Sequence, residues 1–244
     1  MMRPVIGTAG WAIPAADRPG FPTEGSALQR YATRLTGVEI NSSFYRPHRR
    51  TTWQRWADSV PDGFRFAAKM PKAISHAQRL ADVDALLDQF LEQVGGLADK
   101  LAVLLLQLPP SFAFDAGLFS AFCAALSTRT AVPVACEPRH ASWFTPEADA
   151  LLAGLGVARV AADPARVPEA ATPGGWRGLS YWRLHGSPVM YRSAYGEARL
   201  RDVATALPLH GAPEQGTWCI FDNTASSAAM GDALQLSKLL EAAA

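Results

Sequence analysis

Two hydrophobic periods alternate along this chain. Short apolar or alternating runs bounded by Gly, Pro or Asp predict strands at 5–9, 37–42, 64–70, 101–108, 132–138, 157–163, 179–185 and 217–223. Between them the spacing lengthens to that of a helix. Val83, Leu86, Leu87, Phe90, Val94 and Leu97 line one stripe behind an expected N-cap at Asp82, and Leu118, Phe119, Phe122, Cys123 and Leu126 line another. A third runs over 228–240 with Met230, Ala233, Leu234, Leu239 and Leu240. Strand followed by helix, eight times over, predicts one (β/α)8 barrel domain spanning 1–244, close to the ~250 residues usual for that α/β fold. Its sixth unit is irregular, because Pro164 to Trp176 is rich in Pro, Ala and Gly and shows no helical period. The competing doubly wound sheet usually carries a Gly-rich phosphate turn after its first strand, and Gly7-Thr8-Ala9-Gly10-Trp11 does not have the GxGxxG spacing.

Side chains alternate across a strand, so parity sorts residues by face. One parity collects polar groups at the strand ends: Glu39 and Asn41, Lys69, Gln107, Glu137 and Arg139, Asp163, Arg183 and His185, and Asn223. The opposite parity is bulky and apolar and suits contact with helices. The polar set is therefore expected to face the C-terminal mouth, where barrel enzymes place their active sites. Three carboxylates, Glu39, Glu137 and Asp163, stand against three cations, Lys69, Arg139 and Arg183. Neighbouring strands suggest Glu39 with Lys69 and Asp163 with Arg183. The six charges either form a structural network that neutralises itself, since burying an ion unpaired is costly, or serve a ligand.

Composition sharpens this only by exclusion. Lys plus Arg is 23 and Asp plus Glu 22, a formal charge of +1, so charge-based recognition has to be local. Cys123, Cys136 and Cys219 are scattered without CxxC spacing, which argues against a thiolate zinc site or a disulfide framework. The N-terminal residues show no signal-peptide pattern, and the longest apolar run, Leu101 to Leu106, is far short of the ~20 residues of a membrane span. A cytoplasmic protein without a membrane partner is expected. No cofactor is evident, a divalent metal stays open, and so does the oligomeric state.

Two loops suit phosphate, His185-Gly186-Ser187-Pro188 and the run Asn223 to Ser227, although Thr224 or Ser226 serves equally as a helix N-cap. Aromatic residues gather after the strands. Phe112 and Trp143 are expected to pack loops onto the body, whereas Trp11, Tyr45 and Tyr191 are the better candidates to touch a ligand.

The segments IGTAGW (6–11), VEINSSFY (38–45), FRFAAKMPKAISH (64–76), LLLQLPPSF (104–112), CEPRHASWF (136–144), RLHGSPVMYRSAY (183–195) and FDNT (221–224) occur in order over nearly the whole chain. Together they resemble the YecE-like family, also called domain of unknown function seventy-two. The resemblance implies a (β/α)8 barrel and a cytoplasmic, mostly microbial protein without an established activity. It maps the family's polar strand-end residues onto Glu39, Asn41, Lys69, His76, Gln107, Glu137, Arg139, His140, Arg183, His185 and Asn223. The chain departs from the family pattern at Asp222 and Asp232, where Asn is usual, and Ala12 to Phe21 lacks a second tryptophan. By its parity Asp222 is expected to point outward.

The first functional reading is an acid/base enzyme, a hydrolase or lyase, acting on a small anionic molecule such as a sugar phosphate or nucleotide. Lys69, Arg139 and Arg183 would hold the anion while Glu39 or Glu137 exchanges a proton, assisted by His185. Asn41, Gln107, Asp163, Asn223, Trp11, Tyr45 and Tyr191 complete the ligand-binding set. In a variant of this reading Lys69 forms a Schiff base, against which the nearby Glu39 argues. The second reading is a nucleic-acid-binding or endonuclease-like barrel using the patch Arg46, His48, Arg49 and Arg50; the inward cations disfavour metals there. The third is a noncatalytic ligand sensor. Glycoside hydrolysis by Glu39 and Glu137 ranks below these because of the cations.

Overall fold

The computed structural model describes residues 3–209 and 215–242. Ten strands occur among them: β1 Val5–Thr8, β2 Gly37–Ile40, β3 Arg65–Lys69, β4 Leu101–Gln107, β5 Val134–Glu137, β6 Val157–Arg159, β7 Ala161–Asp163, β8 Gly174–Gly175, β9 Ser180–Leu184 and β10 Thr217–Phe221. The α-helices are α1 Ala27–Tyr31, α2 Arg50–Asp58, α3 Asp84–Val94, α4 Ala116–Ser127, α5 Pro146–Gly154, α6 Glu197–Leu209 and α7 Ala228–Ala242. Local chemistry sets several starts. Ser26 and Gln29 form a reciprocal capping box on α1, Asp115 accepts from Leu118 N–H at α4, and Thr145 caps α5 ahead of Pro146. The cap expected at Asp82 is not made: α3 begins after Val83 without a side-chain cap, and Asp82 has φ 51°.

The strands form an α/β arrangement of two sheets, ordered β1-β10-β9-β7 and β2-β3-β4-β5-β6-β8, with every pair parallel except β6 with β8. The predicted sixth strand is divided. Only Val160 separates β6, paired to β5 in one sheet, from β7, paired to β9 in the other, and Val160 N–H still donates to Cys136 O at 2.9 Å. No α-helix lies between Asp163 and Ser180, which hold a short 3-10 turn at Pro168–Ala171 and β8 instead. At the other junction Ala9 and Glu39 form a parallel bridge, and Gly10 N–H donates to Glu39 O at 2.8 Å.

Below that bridge β1 and β2 meet through glycine and tyrosine. A Cβ on Gly7 would lie 2.4 Å from Gly37 O, and one on Gly37 would lie 2.3 Å from Val5 Cγ1, so neither position has room for a side chain. The Tyr31 hydroxyl joins the two strands, accepting from Thr8 N–H at 3.0 Å and donating to Gly37 O at 3.0 Å.

Apolar residues divide into two clusters. The larger lies between strands and helices and contains Val38, Phe66, Leu104, Cys136, Leu184 and Phe221. The smaller comprises Ala67, Val103, Leu105, Ala135, Ala158, Val160, Leu179, Tyr181, Trp218 and Ile220, and thus takes side chains from both sheets. The phase read from the sequence agrees with this inner cluster in β3, β4, β5 and β9. It is reversed in the sixth and last strands, where Val160 and Ile220 face in while Ala161 and Phe221 face the helices. Asp163 and Asn223 therefore leave the inner face and Asp222 joins it.

Candidate functional site at the strand ends

Arg183 is wholly buried on β9 and organises the charged groups at the C-terminal ends of the strands. Its Nε donates to Glu39 Oε2 at 3.0 Å and its Nη2 to Glu39 Oε1 at 2.8 Å. Nη1 donates to Glu137 Oε2 at 2.5 Å, and Nη2 also reaches Asp222 Oδ2 at 2.9 Å. Tyr181 donates its hydroxyl to Glu39 Oε2 at 3.0 Å. One guanidinium thus serves three carboxylates, a geometry in which charge-assisted bonds offset the cost of burial. The pairings expected from strand adjacency are replaced. Glu39 is taken by Arg183 rather than Lys69, and Asp163 pairs with the half-exposed Arg199 at 3.3 Å.

His185 lies between two of these carboxylates, with Nδ1 3.1 Å from Asp222 Oδ2 and Nε2 3.0 Å from Glu137 Oε1. A neutral ring would aim a lone pair at one carboxylate; the imidazolium donates to both. Burial opposes the charge, but Glu137 and Asp222 outweigh it and raise the pKa of His185. Burial likewise opposes the ionised carboxyls, yet Arg183 and His185 hold Glu137 well below the usual carboxylate range and Asp222 below it. Arg139 completes the cluster, donating to Glu137 Oε1 from Nε at 3.3 Å and from Nη2 at 3.2 Å, and from Nη2 to the Tyr191 hydroxyl at 3.0 Å. The Tyr191 ring stands edge-on to His185, 5.5 Å between centroids.

Lys69 ends β3 beside this network but is not hydrogen-bonded into it. Its Nζ lies 4.3 Å from the centre of the Phe44 ring, and no described carboxylate lies within ion-pair distance. Burial first, then the charge of Arg183, lowers its pKa to about 8 against the pull of Glu39, Glu137 and Asp222. The depression that Glu39 was expected to prevent therefore occurs. A π-helical turn, Ala73–Ala77, follows β3 and carries His76, whose Nδ1 meets Ser75 Oγ at 2.8 Å. Burial and the charges of Lys69, Arg139 and Lys72 keep His76 below its usual pKa.

The remaining sequence candidates divide. Gln107 is buried at the end of β4, level with Glu137, and Asn41 follows β2 with a buried Oδ1 that has no partner. Trp11 packs edge-on against Trp56, 5.0 Å between centroids, within an aromatic group that includes His48 and Trp53. Tyr45 is 67% exposed. Asn223 is turned away from the charged cluster, donating to Ser193 O at 2.9 Å and to Asp232 Oδ2 at 2.6 Å on α7. In the two expected phosphate loops some amides are used internally: Gly186 N–H goes to the Tyr195 hydroxyl at 2.8 Å and Ala225 N–H to Tyr191 O at 3.0 Å. Phe112 and Trp143 are packed as expected, with Trp143 Nε1 donating to Phe112 O at 2.9 Å. Sequence reasoning missed Asp222 and the hydroxyl of Tyr181; the signal for Asp222 was the pair Trp218 and Ile220, bulky residues that fill the inner face.

Among the described residues no group of three His, Cys, Asp or Glu is arranged to hold a metal ion. Among them, too, no helix is long and apolar enough to cross a membrane.

Parallel strands backed by helices, with a charged cluster at the strand ends, define an α/β protein. The chain belongs to the family described as protein of unknown function DUF72, whose model matches residues 5–244. It is 34% identical over 107 residues to UPF0759 protein YecE of Escherichia coli, covering 44% of this chain and 38% of that one. It is 26% identical over 147 residues to UPF0759 protein YunF of Bacillus subtilis, covering 58% and 52% respectively. The matched stretches thus span about half or less of these curated relatives. Crystal structures of DUF72 family proteins share the fold: one from Enterococcus faecalis with TM-score 0.81 at 20% identity (98% of this chain, 96% of that one), and one from Thermotoga maritima with 0.78 at 22% (98% and 100%).

Proposed function

We propose that this protein is an enzyme acting on a small anionic ligand, phosphate- or nucleotide-like, at the C-terminal mouth of a (β/α)8 barrel. The barrel reading rests on three contacts: β6 and β7 continue one another through Val160, the Ala9–Glu39 bridge joins the other two sheet edges, and both sheets contribute to one inner cluster. The sixth barrel strand is then β6 and β7 together.

The observation that carries the functional reading is the charge count. Arg139, Arg183, His185 as imidazolium and Lys69 make four cations against the three carboxylates Glu39, Glu137 and Asp222. The surplus charge is that of Lys69, the one without a hydrogen-bonded anion. A buried cation in that position either gains an anionic partner, which holds its proton, or gives that proton up, and with a pKa lowered to about 8 it is poised between the two. The proton-exchanging group is therefore Lys69. Glu39 and Glu137 accept donors at all four of their oxygens, so their role is to hold Arg183 and His185 as fixed positive charge. With those acceptors taken, metal-dependent nuclease chemistry has less support. Beside Glu137, Arg139 and His185 lies a cavity of only about 20 Å³, enough for a water, so a larger ligand there needs the surrounding loops, which bring in Pro164, Arg166 and Met190, to yield.

Thermal melting with inorganic phosphate tests the reading. The expected result is a rise in Tm for the native protein that is absent in Lys69→Ala, whose fold is retained. Collapse of the Lys69→Ala fold, or no response of the native protein to phosphate, sugar phosphates or nucleotides, overturns it. A noncatalytic sensor would show the same binding without turnover.

A further inference from the structure

Beside the mouth, between the loop that follows β2 and helix α3, lies a second cleft of about 170 Å³. Its walls are aromatic, proline and aliphatic surfaces, chiefly Phe44, Tyr45 and Pro47 on one side and Leu86 and Phe90 on the other. It is smaller than the roughly 300–1,000 Å³ of sites that enclose a whole drug-sized ligand, but comparable to the ~150 Å³ apolar cavity that takes up benzene. It therefore suits one ring of a larger molecule.

Two features restrict that ring. Gln89 and Gln93 both line the cleft, one helical turn apart on α3, and present amide donors and acceptors. Gln89 is exposed and stays hydrated, but Gln93 is half-buried, and the edge of a nitrogen heterocycle gives its amide a partner that a hydrocarbon ring does not. Tyr45 also lines the cleft, stands edge-on to Phe44 at 5.0 Å between centroids, and is 67% exposed, which leaves ring surface for stacking.

The cleft adjoins the anion site, with Phe44 as the shared wall. Phe44 lines it, and the same ring lies 4.3 Å from Lys69 Nζ and edge-on to His76, 5.0 Å between centroids. One aromatic ring thus separates the cleft from the ammonium, and Lys72 and Arg46 add positive charge on the cleft side.

We propose that this cleft receives a nucleobase, so that the ligand of the mouth is a nucleoside phosphate whose base lies between Tyr45 and Gln93 and whose phosphate reaches Lys69. This rests on the reading of the mouth as an anion site and narrows it from anions in general to nucleotides.

Calorimetric titration of the full chain with inorganic phosphate, ribose 5-phosphate and the four common nucleoside 5′-monophosphates separates the two. At least one nucleotide is expected to bind about tenfold or more tightly than ribose 5-phosphate, as stacking of one base implies. Tyr45→Ala and Gln93→Ala are expected to remove that advantage and leave ribose 5-phosphate binding unchanged; both side chains lie at the surface of the cleft, and circular dichroism checks the fold. If phosphate and ribose 5-phosphate bind but nucleotides bind no better, the base subsite is overturned and the anion site stands. If nucleotides bind better and both variants retain the advantage, the base lies elsewhere and the proposal fails. If no anion binds, the anion site fails and the base subsite with it.

Discussion

Arg183 and Glu39 form a two-point pair, at 3.0 and 2.8 Å, that joins β9 of the four-stranded sheet to β2 of the six-stranded one. Both side chains are fully buried, so this ion pair joins the two sheets in the interior rather than decorating a surface. Replacing Arg183 with Met leaves Glu39, Glu137 and Asp222 without their common partner. Breaking a buried pair from one side costs about 3–5 kcal/mol, a large share of the roughly 5–15 kcal/mol that keeps a domain folded. Arg183→Met is expected to be insoluble or unfolded at neutral pH. Any folded fraction should gain stability as pH falls and the stranded carboxylates take up protons, which urea titration between pH 4 and 7 measures.

Lys69 is expected to behave in the opposite way. Its pKa falls from 10.5 to about 8, so between those values the unfolded chain binds a proton that the folded chain does not, and stability rises with pH across that window. Lys69→Met should flatten this rise and raise stability below pH 8 by about 1–3 kcal/mol, because it removes a buried charge that lacks a hydrogen-bonded counter-ion. Denaturation at pH 7 and pH 9.5 checks both. A destabilised Lys69→Met protein at pH 7 would mark Lys69 as structural.

His185 gives a third pH dependence. Its pKa is raised in the fold, so the stability it contributes is fully present below the ordinary histidine value of 6.5 and is lost as pH rises through the folded value. Asp222→Asn removes one of the two carboxylates that hold the imidazolium. The His185 pKa is expected to drop and stability at pH 6 to fall by about 1–3 kcal/mol. Asp163→Asn, which loses the ion pair with half-exposed Arg199, should change stability by less than about 1 kcal/mol and leave His185 unmoved. Histidine proton NMR titrations of the two variants, with thermal melts, separate them.

Tyr31 offers a test away from the charges. Tyr31→Phe keeps the packing but strips Thr8 N–H and Gly37 O of their shared partner where β1 meets β2. A cost of about 1–3 kcal/mol is expected from leaving buried backbone groups unpaired, measurable by urea denaturation.

By itself the sequence determined the alternation of strands and helices, the missing helix after the sixth strand, and the gathering of Glu39, Lys69, Glu137, Arg139, Arg183 and His185 at strand ends. Each of these follows from local period and position, which neighbouring residues suffice to specify. What only the tertiary structure decided is which face each strand turns inward and which charge each ion meets. In parallel sheets covered by helices both faces are apolar, so the alternation of Trp218, Cys219, Ile220 and Phe221 has a clear period but no marked phase. The phase comes from packing Trp218 and Ile220 against the inner cluster, and it carries Asp222 into the charged cluster around Arg183 and Asn223 out of it. Pairing is likewise nonlocal. Arg183 is long enough to reach past its neighbouring strand to Glu39 and Glu137, so adjacency in the chain order did not name its partners.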